Sequence, residues 1–306
     1  MVAEIAENLF FVERGWLNAN HFVFSGREKV LIDTGYISDF EVTKKVIRDL
    51  GVDLREVNLI VGTHSHCDHI GGNRKIQDLS ECKIAMHKIE KSFMDSRDDW
   101  ATWWRYYDQE AEFFQVDIPL EEGNHIFLDE LKLEVIHTPG HGAGMIALYS
   151  PEEKFLISSD AVWDGDLGVL TIRVEGSIAP FLALDSLEKL STLEADGIYP
   201  GHGPPIKDPK AAIQRCRKRL EEFLRDPSRI GRDQLRKIFI YTLLMKRGFP
   251  VHEFFDYLMK THWYRETVDL FFGGRYERTF TQTVESLIGK GVIHREGERY
   301  QASVKA

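Results

Sequence analysis

The chain has 306 residues and a formal charge of −10, and its apolar, charged and aromatic contents of 43%, 29% and 11% suit a soluble globular protein. No run of about 18 apolar residues occurs, which excludes a membrane-spanning helix. Three widely spaced cysteines (Cys67, Cys82, Cys216) exclude a disulfide framework, and with the acidic start Met1-Val2-Ala3-Glu4 they predict a reducing, cytoplasmic setting.

Residues 9–34 read as short strands: Leu9 to Val12, Asn20 to Phe24, and Lys29 to Ile32 ending at Asp33-Thr34-Gly35. Asp33 is either a turn former or a carboxylate that orients a neighbouring histidine. A capped helix over 38–50 stops at Gly51, and the apolar strand 57–61 runs into Thr63-His64-Ser65-His66-Cys67-Asp68-His69. Three imidazoles and a carboxylate within six residues, followed by Gly71-Gly72, form a pattern suited to holding metal at a sheet edge. A helix from 73 and a strand over 83–86 continue an α/β alternation.

Residues 88–119 break that rhythm. The run 98–107 carries Trp100, Trp103, Trp104, Tyr106 and Tyr107, and Phe113-Phe114 follow. A helical pair is expected there, its aromatics serving either as core or as the wall of an active-site mouth. Strands resume at 126–128 and 131–136, leading into His137-Thr138-Pro139-Gly140-His141-Gly142, and then at 145–149 and 154–157, ending in Ser158-Ser159-Asp160. A helix over 186–193 precedes Tyr199-Pro200-Gly201-His202-Gly203.

A boundary is expected near Gly203-Pro204-Pro205, dividing the chain into 1–205 and 206–306. The second part holds 21 lysines and arginines against 13 acidic residues, a net of +8, which leaves −18 for the first. That basic surplus could meet an anionic ligand or the acidic first part. Helices are expected over 209–224, 232–245, 251–260 and 281–288, with a closing hairpin over 292–301 that gives a winged-helix outline.

The candidate ligands stand at strand ends: His64, His66, Asp68, His69, His141, Asp160 and His202. His64, His66 and His141 would hold one divalent ion and Asp68, His69 and His202 a second, with Asp160 as the bridge. HxHxDH, HTPGHG, SSD and PGHG, in this order and spacing, resemble the metallo-β-lactamase superfamily, most closely its glyoxalase II-like hydrolases, over residues 1 to about 205. The resemblance implies an α/β fold, the four-layer αβ/βα sandwich, with the site along one edge between two sheets and a mainly helical C-terminal part beyond it. It also implies that Asp33 holds a ligand histidine in its tautomer and that His137 is structural. His21 and His87 read as packing or surface residues, and Cys67 as inert. Ser159 stands where glycine is common, and Gly142-Ala143-Gly144 replaces a hydroxyl-bearing residue; both departures bear on substrate preference rather than on metal.

The expected reaction is attack by a metal-bridging hydroxide on a small thioester, lactone or related ester, with Asp68 or Asp160 relaying the proton. Zinc suits the donor set first, with iron or manganese next. His66 occupies the position where di-iron flavoproteins of the superfamily carry glutamate, which disfavours that branch. The alternatives are a metal-dependent ribonuclease using the winged tail, and a ligand-binding regulatory protein with vestigial hydrolysis. The expected partner is a small-molecule substrate, with no membrane and with nucleic acid in second place; self-association is left open.

Overall fold

The computed structural model describes residues 1–305. The first sheet is built from β1 (Val2–Ala6), β2 (Leu9–Val12), β3 (His21–Phe24) and β4 (Lys29–Ile32); helix α1 (Phe40–Asp49) then leads to β5 (Val57–Val61). A one-turn α2 (Cys67–Ile70), α3 (Asn73–Ser80), β6 (Lys83–His87), α4 (Lys88–Ser96), a one-turn α5 (Trp104–Tyr107) and β7 (Ile118–Leu120) complete this half. Strands β1 to β7 lie in sequence order, antiparallel up to β4 and parallel from β4 onward. The second sheet holds β8 (His125–Leu128), β9 (Leu131–His137), β10 (Ile146–Ser150) and β11 (Phe155–Ser159). After a short α6 (Ile172–Glu175) and α7 (Ala179–Ser191), β12 (Gly197–Pro200) joins it parallel to β11.

Strand alternation sorts the side chains into layers. Val30 and Ile32 of β4 face the second sheet's Leu133, Val135, Ile146 and Leu148, whereas Leu31 between them faces Phe40, Ile47 and Ile76 of the covering helices. On the far side Ile136, Ala147 and Leu156 meet Leu187 and Leu190 of α7. The result is the four-layer αβ/βα sandwich expected from the motifs.

Beyond it come α8 (Pro209–Arg225), α9 (Ser228–Met245), β13 (Phe249–Pro250), α10 (Val251–Leu258), α11 (His262–Phe272), α12 (Tyr276–Gly289) and the hairpin β14 (Ile293–Glu296) and β15 (Arg299–Ala302). Helix α8 packs Ala212, Ile213, Cys216 and Leu220 onto the second sheet's outer face. The later helices enclose their own core of Phe239, Phe254, Trp263, Tyr264 and Leu287, which also takes in Trp103, Tyr106 and Tyr107. No helix among the described residues is long and apolar enough to cross a membrane.

Several elements differ from the sequence expectation. The helical pair over 88–119 is α4 plus a single turn, α5, after which the chain runs irregularly to β7. Its aromatics are held by tertiary packing: Trp104 sits in the core of the first sheet, and Trp103, Tyr106 and Tyr107 in the C-terminal core. Helix α7 starts at Ala179 rather than 186, with Pro180 in its first turn, where the missing N–H costs nothing. Strand β1 and helix α11 had no counterpart in the sequence reading.

Candidate metal centre

The loops after β5, β9, β11 and β12 converge on one edge of the sandwich. Backbone hydrogen bonds tie that edge together: Ile146 N donates to Thr63 O at 3.0 Å, and Asn20 N to Gly201 O at 2.6 Å. The Asn20 side chain also donates to Pro200 O and Gly203 O, at 2.9 and 2.8 Å, which fixes the turn carrying His202. Gly201 is required there, because a Cβ would collide with the Asp160 carboxylate.

All seven predicted ligands meet at this edge. Three groups of side chains each bring one donor atom per residue within 4.8 Å of the others: His64, His66 and His141; His64, His69 and Asp160; Asp68, His69 and His202. Asp160 faces both ends, with Oδ2 3.3 Å from His141 Nε2 and Oδ1 3.6 Å from His69 Nε2. His202 Nε2 lies 3.1 Å from Asp68 Oδ2, and His66 Nδ1 lies 2.8 Å from His141 Nε2.

The outward-facing nitrogens decide the tautomers. His69 Nδ1 donates to Asp33 Oδ2 at 2.7 Å and His141 Nδ1 to Val169 O at 2.7 Å, while His202 Nδ1 faces Gly15 O at 3.3 Å. Each leaves Nε2 as a bare lone pair pointing inward. His64 Nε2 and His69 Nε2 are buried with no hydrogen-bond partner at all. Buried polar atoms are rarely left so, and cations held at this edge would satisfy both. The donor set of five imidazoles and two carboxylates therefore fits two divalent ions.

The electrostatics split the set: His64 and His66 are held neutral, whereas against burial the neighbouring carboxylates raise His69 and His202. Burial, reinforced by neighbouring imidazoles, holds His64 and His66 well below the ordinary histidine value, in the neutral form a ligand needs. Burial also acts on His69, but Asp33, Asp160 and Asp68 together outweigh it and raise that residue. Asp160 feels burial too, yet His69 and His202 keep it well below the carboxylate range.

Asp33 is the positioning carboxylate expected from the strand end. It holds a left-handed φ of 58° and accepts from Thr63 N and Thr63 Oγ1, each at 2.8 Å, as well as from His69. His137 is structural: its Nε2 bonds Ala143 O at 2.9 Å and its ring stacks on His87 at 4.2 Å. Cys67 turns away into the first-sheet core, 3.5 Å from Tyr241 Oη. Ser159 has a φ of 48°, the conformation that favours glycine, and its hydroxyl donates to Thr63 Oγ1 at 2.9 Å.

The sequence reading missed three residues. Glu90 of α4 is buried and accepts from Ser65 N at 3.1 Å and Gly144 N at 3.0 Å, clamping the two loops that carry His64, His66 and His141. Gly144 is the counterpart of this clamp, since a Cβ there would stand 2.7 Å from Glu90 Cγ. Trp163 lies edge-on to His202 at 5.0 Å and donates from Nε1 to Asp160 Oδ1 at 3.2 Å. A glutamate in an amphipathic helix and a lone tryptophan in a loop carry no local mark of such roles. Asn20 likewise reads as an ordinary strand-start residue.

The sequence profile of the metallo-beta-lactamase superfamily matches residues 14–202, more than half of the chain. The chain belongs to the metallo-beta-lactamase superfamily. Among other members, a beta-lactamase-like protein 2 homolog of Caenorhabditis elegans is 32% identical over 60% of this chain and 54% of its own length. An acyl-coenzyme A thioesterase of Homo sapiens is 27% identical over 53% of this chain and 66% of its own. A hydroxyacylglutathione hydrolase of Mesorhizobium japonicum is 27% identical over 51% and 52%. The chain thus spans between about half and two thirds of the length of these relatives. A metallo-beta-lactamase family protein of Thermus thermophilus has the same fold over 98% of this chain and 100% of its own, with a TM-score of 0.62 at 22% identity. A subclass B3 metallo-beta-lactamase of Bradyrhizobium japonicum shares the fold over 75% and 94%, with a TM-score of 0.59 at 18% identity.

Proposed function

We propose that this superfamily member is a dinuclear metal-dependent hydrolase acting on a thioester, lactone or related ester. The observation that carries the reading is the pair of buried, unpartnered imidazole nitrogens, His64 Nε2 and His69 Nε2, at the centre of the ligand set. His64, His66 and His141 would hold one ion and Asp68, His69 and His202 the other, with Asp160 shared. Zinc suits these nitrogen and oxygen donors first, and iron or manganese next. When bound, such a pair of ions supplies a water acidified toward neutrality and a Lewis acid for the acyl oxygen.

The chain's own residues supply orientation and proton handling. Asp33 and the Val169 carbonyl keep His69 and His141 in the donor tautomer, and Asp160 lies between the two groups, where a carboxylate can take the proton released during attack. The relatives include an acyl-coenzyme A thioesterase and a hydroxyacylglutathione hydrolase, which favours a thioester over a lactone. The cavity lining carries Glu13, Asp164 and Asp166 beside Arg14, Lys237 and Lys305, and Lys237 is engaged by Asp166 and Asp233.

The test is metal analysis of the purified protein with a panel of thioesters, lactones, aryl esters and single-stranded RNA. Acyl turnover that chelation abolishes and added metal restores is the expected result. RNA cleavage with no turnover of any acyl compound would overturn the reading.

A further inference from the structure

A cavity of about 560 Å³ opens over the metal-binding edge, within the range that encloses a whole small ligand. Its floor is flanked by two tryptophans, one against each end of the ligand set. The Trp103 ring lies 3.7 Å from the His66 ring at 30° and 4.9 Å from the His141 ring. Trp163 takes the corresponding place beside His202 and Asp160. The apolar and aromatic part of the lining is Tyr107, Val169, Ile238 and Tyr241, with Arg14, Gln109 and Lys305 among its polar residues.

The polar ends of this wall are occupied elsewhere. Tyr107 Oη is paired with Thr171 and Gln234, and Tyr241 Oη donates to Leu17 O, so the rings offer carbon to the cavity. Lys237 has three donors and three acceptors already in place: Asp166 at 2.9 Å, Leu167 O at 2.7 Å and Asp233 at 2.8 Å. Trp103 holds a φ of 71°, a costly backbone state for a bulky side chain. It is anchored in that state by a 2.7 Å hydrogen bond from Nε1 to Glu175. Strain kept at a residue stacked on a predicted ligand points to a role at the reacting centre.

We propose that Trp103 and Trp163 determine specificity by enclosing a bulky apolar acyl group, so that the favoured substrates are medium-chain or aromatic acyl thioesters rather than short hydroxyacyl ones. This rests on the acyl-hydrolase reading above. The carbonyl must lie at the ligand set, so the atoms next to it meet the two indoles, and a hydroxyl there would find no free partner on Tyr107, Tyr241 or Lys237.

The experiment pairs kcat/KM for acetyl to decanoyl thioesters of one thiol with quenching of tryptophan fluorescence by acetate and octanoate, the carboxylate products. Burial of each added methylene predicts a rise of about two- to fourfold in kcat/KM until the cavity fills. Octanoate should quench where acetate does not, Trp163→Ala should flatten the chain-length profile, and Trp163→Phe should largely restore it. Turnover with a flat profile would overturn the acyl pocket and leave the hydrolase reading standing. Octanoate quenching with no turnover of any thioester would support the pocket and count against the hydrolase reading. Equal quenching by acetate and octanoate would overturn the pocket whatever the activity.

Discussion

Asp33 does three things with one carboxylate: it receives Thr63 N, Thr63 Oγ1 and His69 Nδ1, and it does so from a left-handed backbone. Asp33→Asn keeps the size but loses the charge that keeps His69 Nδ1 protonated and Nε2 free. Metal affinity should drop by about 10- to 100-fold, as found when outer partners of ligand histidines are removed, and a chelator-competition titration reads this directly. Glu90 offers a second test. Glu90→Ala strands two buried N–H groups, Ser65 N and Gly144 N, and should cost about 2 kcal/mol or more by urea unfolding. Of these two carboxylates only Asp33 was legible beforehand, because it ends a strand two residues before a glycine. Glu90 lies on a helix that comes near the site only when β6 pairs with β5.

The segment between α4 and β7 shows how an element can be decided by its surroundings. Its aromatics show no strand alternation, which suggests a helical pair, yet two separate cores divide the rings between them. One consequence concerns Glu175 at the end of α6, which anchors the Trp103 indole. Burial pushes its carboxyl up to about 8 from an ordinary value of 4.5. Between those values the folded protein holds a proton that the unfolded chain releases, so the contribution is fully present below about 4.5 and is lost as pH rises toward 8. Glu175→Gln should flatten that part of the stability profile, checked by urea midpoints at the two ends of the window.

At the scale of the whole molecule, the basic C-terminal helices meet the acidic first part. Arg217 of α8 pairs with Glu188 at 2.9 Å, Arg219 of α8 with Asp166 at 2.9 Å, and Lys237 of α9 with Asp166 at 2.9 Å. Arg219 and Lys237 also share Asp233, and the loop they hold carries Val169, the partner of His141. Lys237→Met would leave the buried Asp233 and the half-buried Asp166 with Arg219 as their remaining partner, and should cost about 1–3 kcal/mol. Denaturant unfolding reads that cost, and a parallel loss of metal affinity would report the path through Val169 to His141.

By itself the sequence determined the chemistry. Histidines and aspartates clustered beside glycines at strand ends are a local pattern, and the sandwich brings those strand ends, from both sheets, to one edge. What surrounds that edge was decided only by tertiary structure. Glu90 and Asn20 fix the loops that carry the predicted ligands and Trp103 lies on His66, each from tens of residues away, while Trp163, three residues after Asp160, meets His202 only in the fold; their types at those positions suit ordinary packing equally well. A ligand is marked by its own donor atom, whereas a clamp or a wall is marked only by what it touches.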